Sequence, residues 1–326
     1  MSNTATCINS EVDFHIQAAS FDGLPKPRFS SNCFAKKPRN IVHRLDVIAG
    51  LRNIQDASVD IILADAPYNI GKDFGECKDK MPLKEYVRWA SEWMEESLRV
   101  LKPTGTLYVY GFSEIAAHLH VASNAKFKRW LVWQYENKNS PAVTFWQRSH
   151  EAILLFAKQK PRFNTDLVRV PYTKSFSKNM AGKKRAATPS RFCNSGQETT
   201  YAVHPNGALP RDVIKIPALA GGSGAKERAH WCMDCHELLF DENKKQHINH
   251  RIQSHPTQKP IALTRRLIAA AKNTVGTTSA LVLFAGSGAE CIGAMMEGCE
   301  VTGFDINPDY VEMSNEWINQ TSGGAV

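Results

Sequence analysis

The segment ALVLFAGSGAE (Ala280–Glu290) constrains the fold more than any other part of the chain. An unbroken aliphatic run, the pattern of a strand buried on both faces, gives way at Gly286-Ser287-Gly288 to the apolar spacing of a helix. Two glycines at that junction let the backbone pass close to a ligand while the next helix offers free N–H groups. The following strand, EVTGFDI, ends on Asp305, where an α/β nucleotide site places a carboxylate to accept from two ribose hydroxyls. Strand, glycine turn, helix, strand and acid make half of a nucleoside site in a parallel α/β sheet. Ordinary tight turns would produce the same letters. The spacing also fits a dinucleotide oxidoreductase, although G-S-G-A-E departs from G-x-G-x-x-G.

The same alternation is present nearer the N-terminus. IVHRLD is predicted as a strand, VIAGLRNI as a short helix and VDIILAD as a buried strand. PLKEYVRWASEWMEESLRVL spaces apolar residues three and four apart, as one face of a helix requires, and Lys102-Pro103-Thr104-Gly105 is expected to stop it. TLYVYG, RWLVWQYE and EAILLFAK are further strands, and SEIAAHLHVASNA is a helix. Between Lys158 and Ser254 the rhythm fails, GGSGAKER reads as loop, and PIALTRRLIAAAKN restores the pattern. The expectation is an α/β fold: a Rossmann-like, doubly wound, mostly parallel sheet interrupted by an insert longer than ordinary loops. The division is a flexible tail at 1–40, a first half at 41–157, the insert at 158–254 and a second half at 255–326.

Charge singles out the same insert. From Lys158 to Arg191 there are ten Lys or Arg against one acid, Asp166, so this window carries +9 where the whole chain carries +8. A basic insert on a nearly neutral body suggests a polyanionic partner, because every phosphate neutralised releases counterions. Lys174, Lys178, Lys183, Lys184, Arg185 and Arg191 are the candidate contacts, and a solvated basic loop is the plain alternative. The eight cysteines are scattered except for Cys232 and Cys235, which is no secreted disulfide framework. With no signal-peptide pattern and no membrane-length apolar run, a cytoplasmic protein away from membranes is expected.

The remaining feature is ADAPYNIG (Ala64–Gly71), where a buried strand ends on a carboxylate, a proline and a tyrosine. A plain turn would have no use for an aromatic ring there. ADAPYNIG resembles the D-P-P-Y catalytic motif of the DNA amino-methyltransferases. FAGSG resembles their S-adenosylmethionine motif F-x-G-x-G, and HPTQKP (His255–Pro260) matches the cofactor-site motif of their β class. The order is also that class's order, and the resemblance covers about Ile41 to Asn319 apart from the insert. Two departures stand out: Ala66 replaces the first proline, and Val282-Leu283 stand where the family often has Asp-Pro.

The resemblance implies roles that the chemistry explains. An exocyclic amine conjugated to a base ring is a poor nucleophile. An acceptor at Asp65, helped by a backbone carbonyl at Ala66 or Pro67, favours the tetrahedral nitrogen that attacks. Tyr68 would stack on a base swung out of the duplex. Phe284, Ala285, Gly286, Ser287, Gly288 and Asp305 would hold the cofactor, His255, Thr257 and Lys259 would reach its methionine end, and Asp46 would touch its adenine. The implied partner is double-stranded DNA, and the implied reaction is methylation of adenine N6, since cytosine-N4 enzymes usually begin this motif with serine. A cytosine-N4 enzyme and an inactive DNA-binding module that kept the fold are the alternatives. A homodimer and a cognate restriction endonuclease are further partners that the family suggests.

One pattern lies outside the resemblance. HWCMDCHELLFDENKKQHINH carries Cys232-x2-Cys235 and, after eleven residues, His247-x2-His250, which could hold a structural zinc. The alternative is free cysteines in a polar loop.

Overall fold

The computed structural model describes residues 40–72, 80–137, 144–185, 199–220 and 222–323. The tail expected at 1–40, apart from Asn40, and Arg191 lie outside the described residues. The chain opens with β1 (Ile41–Arg44), α1 (Val47–Arg52), β2 (Val59–Ala64), α2 (Leu83–Val100), β3 (Leu101–Gly111), α3 (Ser113–Ala122), β4 (Phe127–Gln134) and β5 (His150–Ala157). The insert follows as α4 (Lys174–Asn179), β6 (Lys184–Arg185), β7 (Thr199–Thr200), β8 (Val213–Lys215), α5 (Gly222–Ala225), β9 (His230–Cys232), β10 (Glu237–Leu239), α6 (Asp241–Lys244) and β11 (Ile252–Ser254). The last stretch is α7 (Ile261–Ala271), β12 (Thr278–Leu283), α8 (Ala289–Met296), β13 (Cys299–Asp305) and α9 (Pro308–Gly323).

The main sheet has the order β1-β13-β12-β2-β3-β5-β4-β8. Its centre is parallel, and β5 runs antiparallel to both β3 and β4. All six residues of β2 are buried, as a central strand covered on both faces requires. The amphipathic α2 buries Tyr86, Ala90, Trp93, Met94, Ser97 and Val100 on one side. The connection from β2 leads outward to β3 and that from β12 leads the opposite way to β13. Ligands of open α/β sheets bind beyond the strand ends at such a reversal. Here Leu283 pairs with Ala64 across it. Asp65 and Phe284 therefore leave the sheet side by side, although more than two hundred residues separate them.

Three details differ from the expectation. Leu101–Gly111 is one strand that begins directly after α2, so Lys102-Pro103-Thr104-Gly105 is extended chain, with the pairing to β2 shifting register between Val59 and Ile61. Gly222–Ala225, read as loop, makes a helical turn. The insert also contributes to the main body: β8 pairs with β4 at the sheet edge, and Ile214, Ala229, Trp231 and Leu238 join the hydrophobic core.

Candidate active site

The turn after β2 is held from several sides. Tyr86 of α2 donates its hydroxyl to the Pro67 carbonyl at 2.7 Å. Asn69, with φ of 58°, bonds both the N–H and the carbonyl of Met81, closing the loop that follows. Ala66 is buried, and the smaller side chain at the family's proline position leaves the turn intact.

Asp65 does not stand alone. Lys259, 2% exposed, places its Nζ 2.7 Å from each carboxylate oxygen of Asp65 and 3.7 Å from Glu151 Oε2. Its third contact is the Thr257 carbonyl at 3.3 Å. Burial alone would lower this lysine's pKa, but the charges of Asp65 and Glu151 outweigh it and raise the pKa, so Lys259 is an ammonium. Within HPTQKP, Lys259 thus meets a carboxylate of the protein itself. The Tyr68 hydroxyl lies 2.9 Å from Asp65 Oδ1 and 2.9 Å from Glu151 Oε2. Burial and these two carboxylates push its pKa well up, so it stays a neutral phenol with one proton to donate. Its ring stands edge-on to Phe112 at 4.8 Å, with the Lys259 ammonium 5.2 Å from its centre.

Two carboxyls at this site escaped the sequence reading. Glu151, at the start of β5, reaches Tyr68 and also accepts from Tyr135 at 3.4 Å. Glu290, in the first turn of α8, is 5% exposed, and its Oε1 has no hydrogen-bond partner among the described residues. Burial first, and then the Asp65 charge, raises its pKa to about 8, so it is neutral at pH 7. A carboxyl whose folded pKa lies above its unfolded value stabilises the protein at low pH, and that stability is lost as pH rises through the folded value. Thermal stability is therefore expected to fall between about pH 4.5 and about pH 8 through this group, and Glu290→Gln should flatten that fall in a series of melting curves. An unchanged slope would contradict a buried neutral carboxyl here.

The glycine turn is built from the adjacent strand end. Gly286 donates its N–H to Asp305 Oδ2 at 2.7 Å, and Asn307 donates to Asp305 Oδ1 at 2.9 Å. Ile306 donates a third backbone hydrogen bond, and a carboxylate offers about four acceptor sites, so Asp305 can hold the turn and still accept from a ligand. Gly286 has φ of 52°, and a Cβ on it would lie 2.6 Å from His255 Nε2. Glycine is thus required both for the backbone and for the packing of HPTQKP against the turn. Burial, with Lys259 and Arg228 nearby, lowers the pKa of His255 to about 3, so its ring is neutral. Phe284 has φ of 61°, a strained value for a bulky residue, and its ring packs on Trp89 and Trp93 of α2 at 5.7 and 5.6 Å. Ala285 and Ser287 are buried within the turn. Asp46 caps α1, accepting from the N–H groups of Ile48 and Ala49.

The basic candidates lie away from these strand ends in sequence. Lys174, Lys178, Lys183 and Lys184 are exposed, the first two on α4 and the others just before and at the start of β6, while only the backbone of Arg185 is described. Also unnoticed in the sequence, Phe145 and Trp146 are 78% and 87% exposed just ahead of β5.

A carboxylate turn and a glycine turn that meet at the reversal point of a parallel sheet define the nucleotide-cofactor site of an open α/β enzyme fold. The particular family follows from sequence: residues 59–316 match the family described as DNA methylase, and the chain belongs to these N6/N4 methyltransferases. It is similar to the type II methyltransferase M.HpaI of Haemophilus parainfluenzae, with 29% identity over 86% of this chain and 74% of that protein. The DNA adenine methyltransferase YhdJ of Escherichia coli is 29% identical over 86% of this chain and 82% of its own length. Among solved structures, the PvuII DNA methyltransferase (cytosine-N4-specific) shares the fold with a TM-score of 0.55 at 14% identity, covering 86% of this chain and 90% of the other. A putative DNA modification methylase of Thermus thermophilus, complexed with S-adenosyl-L-methionine, gives 0.51 at 15% identity over 87% and 95%. No helix among the described residues is long and apolar enough to cross a membrane.

Proposed function

We propose that the chain transfers a methyl group from S-adenosylmethionine to the N6 amine of an adenine flipped out of duplex DNA. The observation that carries this reading is Asp65, an acceptor paired with a buried ammonium and set beside the glycine turn. The residues fit the cofactor: Gly286 keeps a close backbone approach open, and Asp305 keeps acceptor capacity for a ribose hydroxyl. When bound, the cofactor supplies an electrophilic methyl group on a sulfonium.

The chain's own residues do the rest. Asp65 accepts from the exocyclic N–H, which localises the nitrogen lone pair for attack, and it is the nearest base for the proton released as the N–C bond forms. The amine must compete with Lys259 for those oxygens, so the ammonium both maintains the charge of Asp65 and yields part of its coordination to the substrate. Glu151 is a positioning residue, acting through Tyr68. An acid in the first motif position and the adenine methyltransferase among the relatives favour adenine; a cytosine-N4 amine could use the same acceptor. Sequencing of host DNA with and without the gene tests the reading. N6-methyladenine at one recurring site supports it, and N4-methylcytosine there would replace it with the cytosine-N4 reading.

Residues 158–254 are the target-recognition region in this reading, and the exposed lysines follow the phosphate backbone. Replacing Lys178, Lys183 and Lys184 by alanine is expected to weaken binding to all duplexes alike. It should also flatten the log–log salt dependence by about 0.9 per lost contact. A wild-type slope in the triple variant would assign the DNA surface elsewhere. The type II names among the relatives are compatible with a cognate restriction endonuclease as partner, and a homodimer is part of the same proposal. Its setting is the cytoplasm, where the DNA is.

A further inference from the structure

Cys232, Cys235, His247 and His250 take no part in that chemistry, yet one ligand atom from each lies within 4.8 Å of all the others. His250 Nδ1 is 3.4 Å from Cys232 Sγ, 3.2 Å from Cys235 Sγ and 3.1 Å from His247 Nδ1. Cys235 Sγ is 3.7 Å from His247 Nδ1. Hydrogen bonding does not account for this convergence. An imidazole Nδ1 carries at most one proton, while that of His250 faces two sulfurs and a second ring nitrogen. Lone pairs turned toward a common centre repel unless a cation sits between them.

Zinc has the matching geometry. Tetrahedral bonds of about 2.3 Å to sulfur and about 2.0 Å to nitrogen put sulfur and nitrogen about 3.5 Å apart and the two nitrogens about 3.3 Å apart. The observed separations scatter around those values. His247 also turns its other nitrogen, Nε2, toward Glu237 Oε2 at 3.7 Å, as metal-bound histidines turn theirs to a carboxylate.

We propose that Cys232 Sγ, Cys235 Sγ, His247 Nδ1 and His250 Nδ1 bind one structural zinc ion. Thiolate and imidazole donors select zinc over magnesium or calcium, and four protein ligands leave no position for substrate. The ion closes the β9–β10 turn onto the segment entering β11. Two residues beyond His250, Ile252 pairs with Cys232, and the ladder ends where Ser254 pairs with His230. Ser254 Oγ and His230 Nδ1 lie 2.6 Å apart there. The next residue is His255, which opens HPTQKP. The zinc thus anchors the segment that carries Lys259 to the catalytic turn. On its other side the same hairpin rests on α9, through Phe240 on Trp317 at 5.3 Å and His236 with Glu312 at 3.1 Å.

The test uses the full chain, expressed with added zinc and purified without chelator, with metal measured by mass spectrometry. About one zinc per chain is expected. Cys235→Ser, nearly isosteric, and His250→Ala should each lose it on dialysis while keeping the wild-type far-ultraviolet circular dichroism. Cobalt(II) loaded in place of zinc should show tetrahedral visible bands and a thiolate charge-transfer band, both lost in Cys235→Ser. These readouts do not depend on methyl transfer, so their failure leaves the proposed function standing. A wild-type chain that holds no stoichiometric zinc and takes up neither metal on titration would overturn the proposal. So would a Cys235→Ser variant that keeps its full equivalent.

Discussion

Replacing Asp65 by asparagine is expected to lower the rate of methyl transfer by about 10²–10⁴-fold, the range that a positioned proton acceptor contributes. The amide keeps the shape of the carboxylate but loses its charge, so the amine nitrogen is no longer drawn toward tetrahedral geometry. Cofactor affinity, read by calorimetry, should stay close to that of the wild type, because Asp65 acts on the amine and Asp305 holds the glycine turn. The variant also leaves the Lys259 ammonium, 2% exposed, with the Thr257 carbonyl at 3.3 Å and the Glu151 carboxylate at 3.7 Å. Some loss of thermal stability therefore accompanies the loss of rate. Transfer at the wild-type rate would remove the mechanism.

Lys259→Met is the complementary change, and its two effects should run in opposite directions with pH. Methionine fills similar space but leaves Asp65 and Glu151 facing each other, 8% and 7% exposed, without their cation. Breaking a buried pair from one side costs about 3–5 kcal/mol. At neutral pH one carboxyl of the pair then holds a proton, since two neighbouring carboxylates do not both ionise easily. Transfer at pH 7 should drop at least about tenfold, the equivalent of about 1.4 kcal/mol of lost charge stabilisation. It should recover as pH rises and Asp65 ionises. Stability should do the reverse: a proton retained in the folded state is lost at higher pH, so the melting temperature of the variant falls further below wild type. A pH–rate profile that keeps its wild-type shape would mean that Lys259 does not control the charge of Asp65.

The contrast between these residues and Glu151 explains what was legible in the chain. Asp65, Pro67 and Tyr68 are contiguous but for Ala66, and the chemistry of an amine nucleophile gives that order of residues a meaning. Gly286, Gly288 and Asp305 are legible for a similar reason, because a backbone that must curl under a ligand restricts which residues it can use. Glu151 and Glu290 carry no such local mark. Each is a single acid on a regular element, and only the β3–β5 pairing and the start of α8 bring them to Tyr68 and Lys259. The partner of Lys259 was likewise hidden, since Asp65 lies 194 residues away in the chain and only the tertiary fold brings the two together. In the fold, the alternation of strands and helices marked the parallel centre. The direction of β4 and β5, and the capture of β8 by the sheet edge, depend on long-range pairing between short segments whose own residues do not specify a partner. Phe284 shows the same limit: its position was evident, while the turn of its ring toward Trp89 and Trp93 follows from a left-handed backbone angle.

The central claim is that the acceptor at Asp65 serves an adenine amine. The most direct measurement incubates the purified chain with unmodified duplex DNA and methyl-labelled S-adenosylmethionine. The DNA is then digested to nucleosides and resolved by mass spectrometry. The account predicts label in N6-methyladenine and none in N4-methylcytosine. Label in N4-methylcytosine alone, or DNA that stays unlabelled while the folded protein binds the cofactor, would contradict it.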